Sequence, residues 1–177
     1  MRKAVLSSRP RRSVAEAAKE IESEECDLSI VSDTAAFLIR ACQIQMFRGF
    51  YDEFADEGLT PGSYAALAII DSNPGVRQGF VAGLLAFREP NMTKLVREFS
   101  AAGLVKRTRL AHDARATGLQ LTPKGKRFVT AANERAIRLD HRFTDMLSAE
   151  QRTMLIDLLK QILRNSHFKE TEIEFHE

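Results

Sequence analysis

Apolar residues recur at helical spacing in two long stretches, one towards each end of the chain. In the first, which runs to about residue 55, Ile44, Phe47, Tyr51 and Phe54 fall on one face of a helix. The second repeats leucine, isoleucine and methionine with the same spacing at Met154, Leu155, Leu158, Leu159, Ile162 and Leu163. The pattern predicts two long amphipathic helices, each with an apolar face that needs a partner.

Residues suited to capping and breaking mark the ends of these two helices. Ser32 or Asp33 can cap the first helix, and Gly58 can end it. Ser148 and Gln151 have the spacing of a capping box, which predicts the start of the last helix.

Shorter helices are predicted between them. Thr-Pro pairs at residues 60–61 and 122–123 combine an N-cap with a proline at the first helical position, and an Asn-Pro-Gly break lies at 73–75. The predicted helices span residues 60–71, 76–85, 90–102 and 122–146. The middle pair has the spacing of a helix-turn-helix.

The helix at 90–102 has one apolar and one polar face. Its apolar residues Met92, Leu95, Val96 and Phe99 recur at the spacing of a face turned to a core. The opposite face carries groups that hydrogen-bond or carry positive charge, namely Asn91, Thr93, Lys94 and Arg97. This polar face is suited to a DNA groove.

A basic β-hairpin is predicted directly after this helix. Gly103 ends the helix, Leu104 opens a short strand, and residues 119–121 return as a second strand, with Asp113 and Arg115 in the polar loop between them. The first strand carries Lys106, Arg107 and Arg109. The predicted fold class is therefore mainly α with a small β-hairpin wing, a winged helix-turn-helix with further helices at both ends.

Three motifs around the hairpin resemble the MarR family of bacterial transcription regulators. They are the Gly-Leu-Val at 103–105, the Asp-x-Arg-Ala at 113–116 and the Leu-Thr-Pro-Lys-Gly at 121–125. The resemblance covers roughly residues 32–164, and it rests on the order and spacing of the motifs together. It implies a transcription regulator that binds a double-stranded DNA operator as a homodimer.

The resemblance also implies a division of the chain. Residues 31–58 and 122–166 are expected to be dimerisation helices, and residues 59–121, called the reading head below, the winged helix-turn-helix DNA-binding region. Residues 1–30 are expected to be a basic, partly disordered arm and 167–177 a C-terminal tail. Because the terminal helices carry more apolar surface than a winged helix of about 70 residues can cover, we expect a symmetric dimer and a pseudo-palindromic operator.

Positive charge is concentrated in the segment expected to contact DNA. The chain has a formal net charge of only +2, yet residues 88–127 hold ten Lys or Arg against three Asp or Glu. Residues 1–12 add five basic residues and no acid. A charge run is commonly just a solvated face, but on a helix and hairpin phosphate binding is the better interpretation.

Individual DNA contacts can be proposed from side-chain chemistry. Asn91 and Thr93 can hydrogen-bond base edges, and Arg97, like Lys94, can reach guanine or phosphate. For each of them a phosphate contact alone is the alternative. The full candidate set is Arg88, Asn91, Thr93, Lys94, Arg97, Arg107, Arg109, Asp113 and Arg115.

The wing and the turn before the reading helix add specific expectations. Arg115 is the expected minor-groove arginine, and Asp113 is expected to pair with an arginine such as Arg107; an exposed loop aspartate is the alternative. The chain has Ala86 and Arg88 where many family members have a turn glycine and a capping residue. Arg88 could instead hold a phosphate.

The resemblance implies an effector, because family members commonly bind aromatic carboxylates, phenolic compounds or coenzyme A thioesters between the dimer helices and the reading head. Arg40 shares a predicted helix face with Ile44, Phe47 and Tyr51, which suits an anion anchor beside an aromatic cavity, and Tyr64 could add a hydrogen bond. The alternative is a surface arginine, or one paired with an acid across the dimer.

Other classes of function have weaker support. Cys26 and Cys42 form no metal spacing, and Cys42 is expected to be a small apolar residue buried in its helix, so a thiol-based redox sensor is disfavoured. No catalytic motif, cofactor, membrane span or signal peptide is evident, which favours a cytoplasmic protein that is not an enzyme. A constitutive architectural or silencing DNA-binding protein without a ligand is the main alternative to a ligand-responsive repressor.

Overall fold

The computed structural model describes residues 29–110 and 113–165, with side chains except at 110, 113–116 and 165. The chain forms two compact units, Met1–Cys42 and Gln43–Glu177, and the division falls inside the first helix. In chain order the described elements are α1 (Ala35–Glu53), α2 (Pro61–Ser72), α3 (Gln78–Leu84), α4 (Glu89–Ala101), β1 (Val105–Leu110), β2 (Asp113–Leu121), α5 (Pro123–Phe143) and α6 (Ala149–Asn165). The predicted fold class, mainly helical with one β-hairpin, is confirmed.

The described part of the first unit is a turn followed by the start of α1. The Thr34 carbonyl accepts the first helical hydrogen bond at 3.1 Å, and the Thr34 hydroxyl donates to the Val31 carbonyl at 2.9 Å. The helix therefore begins after Thr34. The expectation that Ser32 or Asp33 caps it is wrong, because both residues lie within the preceding turn.

The start of α2 is held by a reciprocal cap. The Ser63 backbone N–H donates to the Thr60 hydroxyl oxygen at 3.1 Å, and the Thr60 backbone N–H donates to Ser63 Oγ at 2.8 Å. Both bonds satisfy N–H groups that the first turn of a helix leaves unpaired. The predicted cap at Ser148 also forms, since Ser148 Oγ accepts from the Gln151 N–H at 3.2 Å.

The core of the second unit is built by the reading head together with the ends of α1 and α5. Met92 and Val96 of α4 are buried, as the periodicity predicted, and they share the core with residues from every neighbouring element. The largest fully buried side chains are Phe54, Leu67, Ile70, Val81, Met92, Val96, Leu119 and Val129. Because the reading helix contributes to this core, its polar face is fixed in direction.

The hairpin extends further than the sequence predicted. Val105 pairs with Leu121 and Arg109 with Thr117, so the second strand reaches well before residue 119. Val76 also forms a bridge with Leu119, which ties the wing to the segment before α3. Backbone pairing with β1, regular from Val105 to Arg109 and shifted in register at Leu110, is the physical reason for the longer strand.

The end of α1 is held against α5 by an ionic and aromatic cluster. Arg135 donates to the carboxylates of Glu53 and Glu57, and its guanidinium lies 4.3 Å from the centre of the Phe54 ring. Arg142 donates to Glu53 at 2.9 Å. Hydrogen bonding to Arg135 lowers the pKa of Glu53. The pKa of Arg135 is raised by its hydrogen bonds, to Glu57 most and to Glu53 next.

Helix α6 buries no residue against the rest of the described chain. Its apolar side chains from Met154 to Leu163 are each 37% to 65% exposed. Arg152 donates to Asp140 of α5 and to the Thr144 hydroxyl, so polar contacts hold the base of the helix. The apolar stripe predicted for this helix exists, and a single chain leaves it uncovered.

The turn between α3 and α4 contains a conformation that suits glycine. Ala86 has a φ of +51°, where an L side chain is strained by roughly 1 to 2 kcal/mol. We expect Ala86→Gly to raise the free energy of unfolding by about 1 kcal/mol, after allowing for the greater freedom of glycine in the unfolded chain. Urea denaturation at one fixed protein concentration measures it.

The control is Ala102→Gly, which makes the same change at an ordinary helical conformation with a φ of −73°. It should lower stability by about 0.5 to 1 kcal/mol. Equal effects of the two substitutions would contradict strain at Ala86.

Candidate nucleic-acid interface

The reading helix α4 presents the polar face that the sequence predicted. Met92 and Val96 are at most 1% exposed, whereas Asn91, Thr93, Lys94 and Arg97 are all on the surface. The buried face leaves the helix no freedom to rotate, so these four side chains point away from the core. The helix therefore offers hydrogen-bonding and cationic groups to a groove.

The start of α4 lacks a side-chain cap. Arg88 occupies the N-cap position with extended backbone, and its side chain makes no capping hydrogen bond. Glu89 in the first turn places a negative charge near the positive end of the helix dipole, which partly compensates. Arg88 is exposed, so its guanidinium is accessible to a phosphate.

Lys94 and Arg97 have little to hold them in place. Lys94 lies 3.8 Å from Glu98, but both side chains are more than half exposed, so this ion pair is weak in water. Arg97 is exposed as well. A phosphate or a guanine could therefore recruit either cation at small cost.

Gln78 links the reading helix to the wing, and the sequence analysis missed it. Its side-chain Nε2 donates to Thr93 Oγ1 at 2.9 Å, and its Oε1 accepts from Arg107 Nη2 at 3.0 Å. Gln78 is the first residue of α3, and its partners lie 15 and 29 residues further along the chain. No periodic pattern predicts such contacts, because they depend on how three elements pack.

The structure describes the backbone of all the candidate wing residues, but the side chains of only some of them. Lys106, Arg107 and Arg109 lie on β1 and are exposed. Asp113 and Arg115 belong to β2 rather than to the loop that the sequence predicted, because pairing with β1 extends the second strand. Their side chains lie outside those described, so the predicted pairing of Asp113 with Arg107 stays a prediction.

The Leu-Thr-Pro-Lys-Gly motif joins the wing to α4 and α5. The Thr122 hydroxyl donates to the Gly103 carbonyl at 2.6 Å, and Lys124 Nζ donates to the Ala102 carbonyl at 2.8 Å. A Cβ added to Gly125 would overlap the Leu104 carbonyl. Lys124 therefore stabilises the carbonyl end of α4. It is one of the ten basic residues between 88 and 127, but its ammonium group is used within the protein.

The candidate effector residues occupy varied surroundings. Tyr64 is half-buried and packs with Phe50 and Phe54 at ring-centre distances of 5.6 and 6.4 Å, and burial raises its pKa. Those two phenylalanines were not among the sequence candidates, although Phe54 was predicted on the same helix face. Ile44, Phe47 and Tyr51 are partly exposed on α1.

Arg40 lies on the part of α1 that belongs to the first unit, and it is exposed. Cys42 is also exposed, so the expectation of a buried cysteine is wrong for the single chain. Cys26 lies outside the described residues. Within the described ranges no group of three or more His, Cys, Asp or Glu could hold a metal ion.

Across residues 29–110 and 113–165, no helix combines the length and the hydropathy that a membrane span requires. A groove of about 590 Å³ runs along α6 and is lined by Met154, Leu158 and polar neighbours of the same helix. Met154 and Leu158 belong to the apolar stripe, and Thr153 and Asp157 belong to the polar face beside it.

The chain is similar to known transcription regulators. The MarR family model matches residues 57–116. A protein of Thauera aromatica named "Putative transcriptional regulatory protein for hcr operon" is 33% identical over 129 residues, which is 72% of this chain and 78% of that protein.

Solved structures of a transcriptional repressor are also similar to this chain. The transcriptional repressor CouR bound to a 23-mer DNA duplex has a TM-score of 0.72 and 30% identity, and the match covers 80% of this chain and 100% of that one. CouR bound to p-coumaroyl-CoA has a TM-score of 0.69 and 29% identity over 80% of this chain and 99% of that one.

Binding of DNA through the basic segment can be tested with a duplex selected from a random-sequence library. We expect affinity to fall with salt along a log-log slope steeper than about −4 for a dimer, because basic side chains displace counterions from phosphates. Arg97→Gln should weaken binding about tenfold or more. Fluorescence anisotropy at several salt concentrations measures both.

The salt slope of the Arg97→Gln variant separates its two possible roles. A phosphate contact in each half-site predicts a slope flatter by about 2, and a base contact predicts an unchanged slope. The control Arg164→Gln removes the same charge from α6 and should bind as the parent does. A flat salt response of the parent would contradict this interface.

Proposed function

The chain belongs to the MarR family of transcription regulators, and we propose that it is a dimeric repressor, released from a pseudo-palindromic operator by a small aromatic effector. The effector class is an aromatic acid, a phenolic compound or its coenzyme A thioester. The observation that carries the proposal is the exposed polar face of α4 beside a basic wing. The similarity to CouR, which has been solved with DNA and with p-coumaroyl-CoA, supports both parts.

DNA recognition follows from the placement of the polar groups. Helix α4 enters the major groove, where Asn91 and Thr93 face base edges while Lys94 and Arg97 contact guanine or phosphate. The wing lies along the backbone, and Arg115 enters the minor groove. Each good bidentate base contact contributes about 1 to 3 kcal/mol of discrimination.

A second copy of this chain covers the stripe on α6. Seven large apolar side chains of one helix are exposed in the single chain, and a monomer in water would present them as one continuous patch. The partly exposed residues Ile44, Phe47 and Tyr51 give α1 a similar face. A two-fold dimer buries the same patch on both copies and presents two reading helices about 34 to 36 Å apart, one turn of DNA.

The dimer can be tested by charging the stripe. Replacing Leu158 and Ile162 with Lys should produce an unfolded, aggregated or monomeric chain that no longer binds the operator, because two ammonium groups cannot be buried without partners. Light scattering after size exclusion, with circular dichroism, measures mass and folding.

The control places two lysines on the polar face of α6, as Thr153→Lys with Asp157→Lys. Because that face is not expected to meet a second copy, this variant should keep the dimer mass. A double-lysine stripe variant that stays a folded, dimeric operator binder would contradict the interface.

The effector site is proposed around the aromatic part of α1. Arg40 precedes Ile44, Phe47 and Tyr51 at helical spacing, so a carboxylate or phosphate held by Arg40 would lie beside apolar side chains. Tyr64 supplies a phenolic hydroxyl, which is protonated at neutral pH and can donate a hydrogen bond. Release requires that the effector bind the DNA-free geometry of the dimer more tightly, by about 5.5 kcal/mol for a nearly complete switch.

Arg40→Ala should lose release before it loses DNA binding. The operator complex is titrated with 4-coumarate and with p-coumaroyl-CoA, and the parent should release DNA at lower concentrations than the variant by about tenfold or more. Arg48→Ala removes the same charge from the same helix and should respond as the parent does.

Two results would redirect the proposal. An equal response of the parent and Arg40→Ala would place the anchor elsewhere. If neither compound, nor any other anionic aromatic in a thermal-shift screen, affected the parent, a constitutive architectural DNA-binding protein would become the better conclusion.

A further inference from the structure

Gln78 occupies a position between two groups proposed to contact DNA. Its amide makes one hydrogen bond to Thr93 of the reading helix and one to Arg107 of the wing. All three side chains remain accessible to solvent. The chain Thr93–Gln78–Arg107, called the Gln78 link below, therefore lies at the surface that would face the duplex.

The chemistry of Arg107 fixes the orientation of the Gln78 amide. A guanidinium has only N–H donors, so the atom of Gln78 that meets Arg107 must be the oxygen. The amide nitrogen then faces Thr93, and a nitrogen in an amide can only donate. The usual ambiguity between the oxygen and nitrogen of a glutamine side chain is therefore resolved by its partner.

This orientation assigns a direction to the Thr93 hydroxyl. Its oxygen accepts from Gln78 Nε2, so one lone pair is engaged and the hydroxyl hydrogen is left to donate. In the major groove the acceptors are N7 of either purine, O6 of guanine and O4 of thymine, whereas cytosine presents the N4 donor. A hydroxyl held in this way keeps one lone pair and its hydrogen for the base, and because the hydrogen has no other partner among the described residues, it favours a base that presents an acceptor over cytosine.

We propose that Gln78 is a specificity-determining positioning residue, which sets Thr93 as a donor to the base edge and couples the reading helix to the wing through Arg107. This inference rests on the proposed DNA-binding function of α4. The second bond holds the Arg107 guanidinium in place while leaving other N–H groups for a phosphate. Loss of Gln78 would therefore change base preference at one position and loosen one backbone contact.

The test selects duplexes from a random library with the parent and with Gln78→Met, which has similar length but neither bond. The parent should select against cytosine at one position in each half-site, and Gln78→Met should lose that preference and bind the parent's duplex about tenfold more weakly. Gln120→Met makes the same change on β2 and should select as the parent does.

A double-mutant cycle with Thr93→Val separates positioning from direct contact. In the Thr93→Val background Gln78→Met should cost about threefold or less, because only the Arg107 bond remains to be lost. Gln78→Glu keeps an acceptor for Arg107 but removes the donor to Thr93. The Thr93 hydroxyl would then donate to the carboxylate and accept from a base, so the selected position should shift towards cytosine or adenine.

The possible failures are distinguishable. If the parent selects no sequence, the proposed operator binding is wrong. If the parent selects a sequence but Gln78→Met selects the same one, or the two substitutions are additive, Gln78 has no positioning role and the inference is overturned.

Discussion

The close contact between the Leu104 carbonyl and Gly125 holds the DNA-reading surface to the rest of the molecule. Only a residue without a side chain fits at position 125, since a Cβ there would overlap the carbonyl. Around it, Thr122 and Lys124 donate to the Gly103 and Ala102 carbonyls directly after the reading helix, and Gly103 turns the chain with a φ of +71°. The end of α4, the base of the wing and the start of α5 are therefore fixed relative to one another.

These contacts around Gly125 connect the reading head rigidly to α5. Helix α5 begins at this contact and carries Arg135 further along, where it binds the carboxylates at the end of α1. A change in the geometry of the α1 and α5 helices would consequently move the reading helix and wing together. This is the mechanical requirement for a proposed effector that acts by respacing two reading helices on DNA.

Much of the fold could be predicted because local chemistry specifies it. The apolar spacing of Met92 and Val96 gave the orientation of the reading helix, and the Thr60 cap formed as its sequence indicated. Two of the three motifs, those at 103–105 and 121–125, meet at the Gly125 contact, where the backbone geometry requires particular residues.

Tertiary packing decided what the sequence did not predict. The Gln78 link joins residues 15 and 29 positions apart and leaves no periodic trace. The length of β2 depends on pairing with β1. Packing of Tyr64 against Phe50 and Phe54 likewise needed the structure, because Tyr64 lies on α2 whereas the two phenylalanines lie near the end of α1.

The exposed stripe of α6 and the exposed face of α4 fit together in a proposed dimer that presents two reading helices to one operator. Sedimentation analysis of the protein with a duplex selected from a random library tests this dimer on DNA most directly. We expect a complex with the mass of two chains on one duplex, and we expect p-coumaroyl-CoA or a related aromatic thioester to convert it into free duplex and a two-chain protein. Single chains bound to the duplex, or a two-chain complex that persists with every aromatic acid and thioester tried, would contradict it.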